Sequence, residues 1–165
     1  MTGIYLLLGT NIGNRSKNLE RARELLVSNG ITIRRESNIY ETAAWGKEDQ
    51  EPFLNQVVEV ETGKSPQRML FIANMIEKEM GRERFEKWGS RLIDIDILYF
   101  GDIVFEDENL FIPHAEIQNR RFTLAPLAEI APQFLHPKLK KTQSQLLAEC
   151  PDPLAVEVYE SEEVD

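Results

Sequence analysis

The chain has 165 residues, of which 42% are hydrophobic and 28% are charged. This length and balance predict a single domain, 1–165, with its own apolar core, and exclude collagen-like and disordered chains. The formal net charge of −9 argues against nucleic acid and anionic membranes as partners, because both bind basic surfaces. No apolar run approaches the roughly 20 residues of a membrane helix, and the single cysteine is typical of a reducing compartment. We therefore expect a cytoplasmic protein.

The first half of the chain alternates strand-like and helix-like patterns. An apolar run over 4–8 predicts a buried strand that ends in a glycine turn. Apolar residues then recur at helical spacing from Ser16 until Gly30, which predicts an amphipathic helix. Two stretches rich in β-branched residues, 31–40 and 53–62, predict a pair of strands joined by a polar connection.

The second half begins with a helix and another buried strand. Ser65-Pro66 predicts a capped helix start, and the apolar stripe continues until Gly81. An apolar run over 92–100 predicts a strand, and proline-punctuated helical segments follow from Pro113. This order predicts an α+β fold with a ferredoxin-like βαββαβ core, in which helices pack on one face of an antiparallel sheet, plus a C-terminal helical extension. The acidic residues 157–165 predict a solvated or frayed tail.

Two aspartates interrupt the last strand of this predicted core. Side chains two positions apart project from the same face of a strand, so Asp94 and Asp96 present their carboxylates side by side, while Ile93, Ile95 and Ile97 face the core. Such a pair is stable beside a divalent cation, and Mg²⁺ typically takes one or two carboxylates plus substrate phosphates. The alternative is a half-exposed strand whose aspartates face solvent.

Arg82, Arg84 and Arg91 come immediately before this strand. A guanidinium group can bind two phosphate oxygens at once, so arginines beside a Mg²⁺ site predict phosphoryl transfer. The alternative is a solvated charged loop. The sequence contains neither the P-loop pattern nor the dinucleotide-binding glycine pattern, which argues against an ordinary P-loop NTPase or protein kinase.

The two histidines differ in their surroundings. His114 precedes Arg120 and Arg121, and these three residues are candidates for phosphate contacts, whereas His136 is predicted to be structural. Aromatic residues and the amide of Asn55 flank the polar connection, as a flat polar heterocycle would require. Core packing is the alternative for Phe53 and Phe122.

Taken in order, these segments resemble one family, 6-hydroxymethyl-7,8-dihydropterin pyrophosphokinase of folate biosynthesis. The similar segments are Leu8-Gly9-Thr10-Asn11-Ile12-Gly13, Phe53-Leu54-Asn55-Gln56-Val57, Gly81-Arg82-Glu83-Arg84, Trp88-Gly89-Ser90-Arg91-Leu92-Ile93-Asp94-Ile95-Asp96-Ile97-Leu98, and Pro113-His114 with Asn119-Arg120-Arg121-Phe122. The resemblance implies a ferredoxin-like enzyme that transfers pyrophosphate from ATP to the hydroxymethyl oxygen of the pterin. It also implies two Mg²⁺ ions, and AMP and the pterin diphosphate as products.

The resemblance further implies a role for each matching residue. Asp94 and Asp96 would hold both metal ions, and they would form the catalytic group with Arg82 and Arg91. The implied ATP contacts are Glu77, Arg82, Arg84, Arg91, Ile97, His114 and Arg120. The implied pterin contacts are Thr42, Ala43, Trp45, Phe53, Asn55, Trp88 and Phe122, with Phe53 and Phe122 on the two faces of the ring and Asn55 at its edge. The chain departs from the family pattern at Ala43, Asn74 and Ala115.

Two rival functions fit the same topology. One is a non-catalytic ferredoxin-like module, such as a metabolite sensor or an RNA-recognition domain, although an acidic chain suits RNA poorly. The other is an ordinary Mg²⁺-dependent kinase or nucleotidyl transferase that uses the same aspartates. Pyrophosphoryl transfer releases AMP, a kinase releases ADP, and a sensor releases neither. We expect a monomer with small-molecule substrates.

Overall fold

The computed structural model describes residues 2–43, 51–82 and 92–160. In chain order the elements are β1 (Ile4–Thr10), α1 (Arg15–Ser28), β2 (Thr32–Glu36), β3 (Tyr40–Thr42), β4 (Phe53–Glu61), α2 (Pro66–Arg82), β5 (Asp94–Phe100), β6 (Phe105–Glu106), β7 (Phe111–Ile112), a 3₁₀ turn (Ile117–Asn119), α3 (Arg121–Ile130), α4 (Gln143–Glu149) and β8 (Val156–Val158). No helix in these ranges is long and apolar enough to span a membrane.

The main sheet is antiparallel throughout its described pairings. Its strands follow the order β5-β1-β4-β3-β8, and β2 also pairs with β4, while β6 and β7 form a separate ribbon. With β2 and β3 together in the place of one strand, this is the ferredoxin-like βαββαβ arrangement that the sequence predicts.

The strand predicted over 31–40 is broken at Ser37. The Ser37 backbone N–H donates to the Val57 carbonyl at 2.9 Å, and the Ser37 hydroxyl accepts from the Val57 N–H at 3.0 Å. Glu36 lies opposite Val58 and Tyr40 lies opposite Asn55, so four steps on one side face three on the other. One extra residue is therefore accommodated as a bulge, which separates β2 from β3.

Helix starts follow the local sequence. The Asn14 side chain accepts from the Lys17 N–H at the start of α1, and the Ser65 hydroxyl accepts from the Arg68 N–H at 3.1 Å, as the predicted cap of α2 requires. At α4, Thr142 and Gln145 form a reciprocal capping box.

Helices cover both faces of the sheet. Alternate residues of β1, among them Leu6 and Leu8, pack in one core with the buried faces of α1 and α2. The other residues of β1, Tyr5 and Leu7, pack in a second core with α3 and α4. The sequence predicts helices on one face of the ferredoxin-like unit, and the C-terminal extension covers the opposite face. All of β1 is buried as a result, which explains its continuous apolar run.

The C-terminal end is ordered further than the sequence predicts. Strand β8 pairs with β3, and the Tyr159 N–H donates to the Ile39 carbonyl at 2.7 Å. The Arg15 guanidinium lies 5.4 Å from the centroid of the Tyr159 ring. Residues 157–159 are therefore not frayed, because backbone pairing and a cation–π contact hold them, although Glu157, Val158 and Glu160 are exposed as a solvated tail would be. Residues 161–165 lie outside the described ranges.

Candidate active site

A cavity of about 580 Å³ lies on the sheet face that α3 and α4 cover. This volume falls in the usual range for small-molecule sites. Its lining comes from the sheet (Leu7, Gly9, Thr42, Ala43, Phe53, Asn55, Asp94 and Asp96), from the start of α3 (Asn119, Arg120 and Phe122) and from the segment after α4 (Pro151, Asp152, Pro153 and Leu154).

The register of the three central strands brings the polar side chains together. Gly9 of β1 lies opposite Asn55 on one side and Asp94 on the other, and Leu7 lies opposite Asp96. Both aspartates are half-buried and line the cavity. The intervening Ile95 is buried in the core on the α1 and α2 side. The two carboxylates thus share one face of β5, as the spacing predicts.

Asp94 and Asp96 form a donor pair that is incomplete as a metal site. The described ranges contain no group of three or more His, Cys, Asp or Glu residues that could hold a metal ion. Two carboxylates suit Mg²⁺, which keeps several waters and takes further ligands from substrate phosphates. The pair fits a metal ion that is bound together with a nucleotide.

His114 lies close enough to Asp96 for their charges to interact. Its backbone N–H donates to the Leu98 carbonyl at 2.9 Å, and its Nδ1 accepts from the Glu116 N–H at 3.1 Å. The proton of the neutral ring is therefore assigned to Nε2. Burial lowers the pKa of His114, the positive charge of Arg120 lowers it further, and the negative charge of Asp96 opposes both effects. The neutral ring thus has an Nε2–H that can donate, although His114 is not among the residues that line the cavity.

The opposite end of the cavity holds a buried amide and a buried hydroxyl. Asn55 is 4% exposed, and a Cβ atom added to Gly9 would lie 2.7 Å from its Oδ1 atom. The Asn55 amide can therefore lie against Gly9 of β1 only because glycine has no Cβ atom. Thr42 is 3% exposed, and its Oγ1 atom has no hydrogen-bond partner among the described residues. An unpaired buried hydroxyl costs about 1–3 kcal/mol, so a ligand that pairs with it is stabilised.

Aromatic rings stand near these polar groups. Phe53 and Phe122 are half-buried and line the cavity, and Phe122 also packs against the α3 and α4 core. The Arg120 guanidinium lies 5.8 Å from the centroid of the Phe122 ring. The cavity therefore joins an apolar, amide-bearing end to an end that carries the Asp94 and Asp96 carboxylates and the Arg120 guanidinium.

Three of the predicted nucleotide residues whose side chains the structure describes, His114, Glu77 and Ile97, do not line the cavity. Glu77 accepts from the Ile95 backbone N–H at 2.9 Å, so it links α2 to the start of β5. Ile97 is 4% exposed and packs in the α1 and α2 core, which leaves only its backbone for a nucleotide contact. Arg82 is the last residue of α2. The predictions for Trp45, Arg84, Trp88 and Arg91 lie outside the described ranges.

Sequence reasoning missed the wall formed by Pro151–Leu154. No chemical motif marks this segment, and its only signal is a Pro-x-Pro pattern after the last helix. The sequence also predicts Gly9 in a turn, whereas it lies in β1. Glycine is required there because the Asn55 side chain leaves no space for a Cβ atom. Of the three departures from the family pattern, Ala43 lines the cavity, whereas Asn74 and Ala115 are exposed.

Comparison with known proteins gives concordant matches. The family model described as 7,8-dihydro-6-hydroxymethylpterin-pyrophosphokinase (HPPK) matches residues 5–132. The chain is 45% identical over 130 residues to the 2-amino-4-hydroxy-6-hydroxymethyldihydropteridine pyrophosphokinase of Bacillus subtilis strain 168, with 78% of each chain covered. It is 41% identical over 141 residues to the protein of the same name from Aquifex aeolicus strain VF5, which covers 86% of this chain and 88% of that one.

Solved structures agree on the fold. A crystal structure of Plasmodium falciparum HPPK-DHPS matches with a TM-score of 0.70 at 20% identity. The match covers 90% of this chain but only 45% of the longer Plasmodium chain. At that identity the likeness supports the ferredoxin-like fold alone.

Proposed function

The chain belongs to the 7,8-dihydro-6-hydroxymethylpterin-pyrophosphokinase family, and we propose that the cavity on the α3 and α4 face is where it carries out the family's reaction. The chain is an ATP-dependent pyrophosphokinase of folate biosynthesis. It transfers pyrophosphate from ATP to the hydroxymethyl oxygen of 6-hydroxymethyl-7,8-dihydropterin and leaves AMP. The observation that carries the placement is one cavity that holds both the Asp94 and Asp96 pair and the Asn55 amide.

The carboxylate end of the cavity suits the triphosphate. Asp94 and Asp96 would hold two Mg²⁺ ions, which when bound offset the negative charge that develops on the transferred group and on the α-phosphate leaving group. The His114 Nε2–H and the Arg120 guanidinium would donate to phosphate oxygens, and such charge-assisted bonds strengthen as charge accumulates. Arg82, Arg84 and Arg91 stay predictions for the same role.

The amide end of the cavity suits the pterin. Asn55 can donate and accept at the edge of the heterocycle, and the Thr42 hydroxyl would gain the partner it lacks among the described residues. Phe53 and Phe122 would contact the faces of the ring. Ala43 also lines this end, and Trp45 and Trp88 stay predictions.

We also propose that the protein acts as a cytoplasmic monomer on small molecules alone. ATP as co-substrate and a single cysteine favour the cytoplasm, and the net charge of −9 disfavours nucleic acid. One main sheet from β1 to β8 favours a single domain over 1–165.

The reaction is tested by its products. Purified protein is incubated with ATP, Mg²⁺ and 6-hydroxymethyl-7,8-dihydropterin, and phosphorus NMR follows AMP and the pterin diphosphate. We expect both products only when all three components are present and none in excess EDTA. ADP in place of AMP would indicate an ordinary kinase, and binding without any nucleotide product would indicate a sensor.

A further inference from the structure

The C-terminal strap, Cys150–Tyr159, crosses the pterin end of the cavity. Its first part, Pro151–Leu154, lines the cavity directly, and its last part forms β8. The family model matches residues 5–132, so the strap lies beyond the region that this chain shares with that model.

Arg121, a candidate for phosphate contacts in the sequence, does not line the cavity and instead fixes the start of the strap. Its Nε atom donates to the Asp152 carbonyl and its Nη2 atom donates to the Cys150 carbonyl, both at 3.1 Å. Its backbone N–H donates to Asp152 Oδ2 at 3.1 Å, at a helix end where the N-cap residue Arg120 makes no side-chain cap. Asp152 Oδ1 accepts from the Leu154 N–H at 2.9 Å. Both carboxylate oxygens of Asp152 therefore accept hydrogen bonds from backbone N–H groups.

The sheet fixes the end of the strap. Val156 lies opposite Thr42 in the β3 and β8 pair, and Tyr159 bonds to the Ile39 carbonyl. Thr42 is the cavity residue with the unpaired hydroxyl, and Phe122 follows Arg121 in α3. The two anchors thus stand on either side of the amide end of the cavity, and the strap connects them.

We propose that the strap is a substrate-binding wall for the pterin, in which Leu154 contacts the acceptor and Arg121 and Asp152 are positioning residues. This inference rests on the proposed function, because the pterin is the acceptor. Pro151 and Pro153 restrict the backbone of the wall, so little conformational freedom is lost when the pterin binds. The wall acts on the pterin and leaves the phosphate end unchanged.

Steady-state kinetics with the pterin and ATP varied independently test this wall. The variants are Leu154→Ala, which removes a contact, and Arg121→Ala, which releases the anchor. We expect each to raise the KM for the pterin about tenfold, with the KM for ATP and kcat within about twofold of wild type. Arg121→Lys should recover part of the loss, because a lysine keeps a cationic donor but lacks the planar fork whose two nitrogens reach the two carbonyls. Matched controls are Leu139→Ala and Arg68→Ala, both at exposed positions away from the cavity.

The outcomes separate the strap from the reaction. If the wild-type protein is active and the pterin KM of both Leu154→Ala and Arg121→Ala stays within about twofold of wild type, the strap proposal alone is overturned. A parallel change in kcat and in both KM values of Leu154→Ala would also overturn it, since that variant leaves the Arg121 anchor intact. Wild-type protein without pyrophosphoryl transfer would overturn the proposed function, and the strap proposal with it.

Discussion

Gly9 lies within β1, where its neighbours on both sides belong to the cavity. A Cβ atom at this position would lie 2.7 Å from Asn55 Oδ1, a distance that real Cβ contacts essentially never show. Because Asn55 is 4% exposed and lies on a central strand, its amide has little room to move aside. We expect Gly9→Ala to raise the Kd for the pterin about tenfold, since the amide that is proposed to bind the ring edge would be displaced. Pterin titration by fluorescence measures the change.

Gly63→Ala is the matched control. A Cβ atom at Gly63 would meet nothing within 4 Å, so that variant should bind the pterin as wild type does. Equal pterin affinity in Gly9→Ala and Gly63→Ala would show that Asn55 does not read the ring.

Some features of these single residues can be predicted from the sequence, and others cannot. Side chains alternate between the two faces of a strand, so the two-residue spacing of Asp94 and Asp96 is enough to predict that they share a face. The need for glycine at position 9 depends on a side chain 46 positions further along, at Asn55, and no local pattern reports such a contact. Glycine next to Thr10-Asn11 therefore reads as a turn, although it lies in a strand.

At the scale of elements, hydrophobic runs located β1, β4, β5 and both core helices, because burial on the sheet dictates their patterns. They could not locate the bulge at Ser37, where the Val57 N–H donates to the Ser37 hydroxyl, because hydrophobic periodicity does not report such a bond. The C-terminal strap was missed for a related reason. Its prolines exclude regular periodicity, and its position depends on the distant anchors Arg121 and β3.

The connection between α3 and α4 contains a buried histidine that links stability to pH. His136 is 4% exposed, and its Nδ1 atom accepts from the backbone N–H groups of Lys138 and Leu139, both at 3.1 Å. Burial, aided by the charge of Lys138, lowers its pKa from the usual 6.5 to about 4. As the pH falls, the unfolded chain therefore takes up this proton before the folded one.

The stabilising contribution of neutral His136 is complete above pH 6.5 and is lost as the pH falls towards 4. At about 1.4 kcal/mol per pKa unit, we expect a loss of up to about 3 kcal/mol in the free energy of unfolding. In His136→Asn, the amide oxygen can accept from the same N–H groups without titrating, so this part of the pH dependence should disappear. Urea unfolding of both proteins at pH 7, 5.5 and 4.5 measures the difference.

The comparison isolates one histidine. His114 also has a lowered pKa, but it is present in both proteins and its effect cancels in the difference. Parallel stability curves for wild type and His136→Asn would contradict the assignment.

In the whole molecule, the two faces of the main sheet differ in what they pack against. The α1 and α2 face is a closed apolar core, while the C-terminal helices leave the cavity between themselves and the sheet. Asp94 and Asp96 belong to β5, whose Ile95 N–H is held by Glu77 of α2. The closed face thus positions the strand on which the open face presents its carboxylates.

This arrangement predicts how ligands stabilise the folded protein. Asp94 and Asp96 belong to no complete metal cluster within the described ranges, so Mg²⁺ alone should bind weakly, and ATP alone should be repelled by these two carboxylates. Together they complete each other's coordination. A ligand at about 100 times its Kd stabilises the folded state by about 2.7 kcal/mol, which for a chain of this size is a Tm increase of about 5–10 °C.

We therefore expect thermal unfolding to show that increase with Mg²⁺ and ATP together and about 1 °C or less with either alone. Asp94→Asn should abolish the increase, because an amide is a much weaker ligand for a hard cation than a carboxylate. Asp102→Asn removes the same charge at an exposed turn and should keep the full increase. An equal increase with ATP in EDTA would contradict a metal-linked site, since the nucleotide would then bind without the ion that Asp94 and Asp96 are proposed to hold.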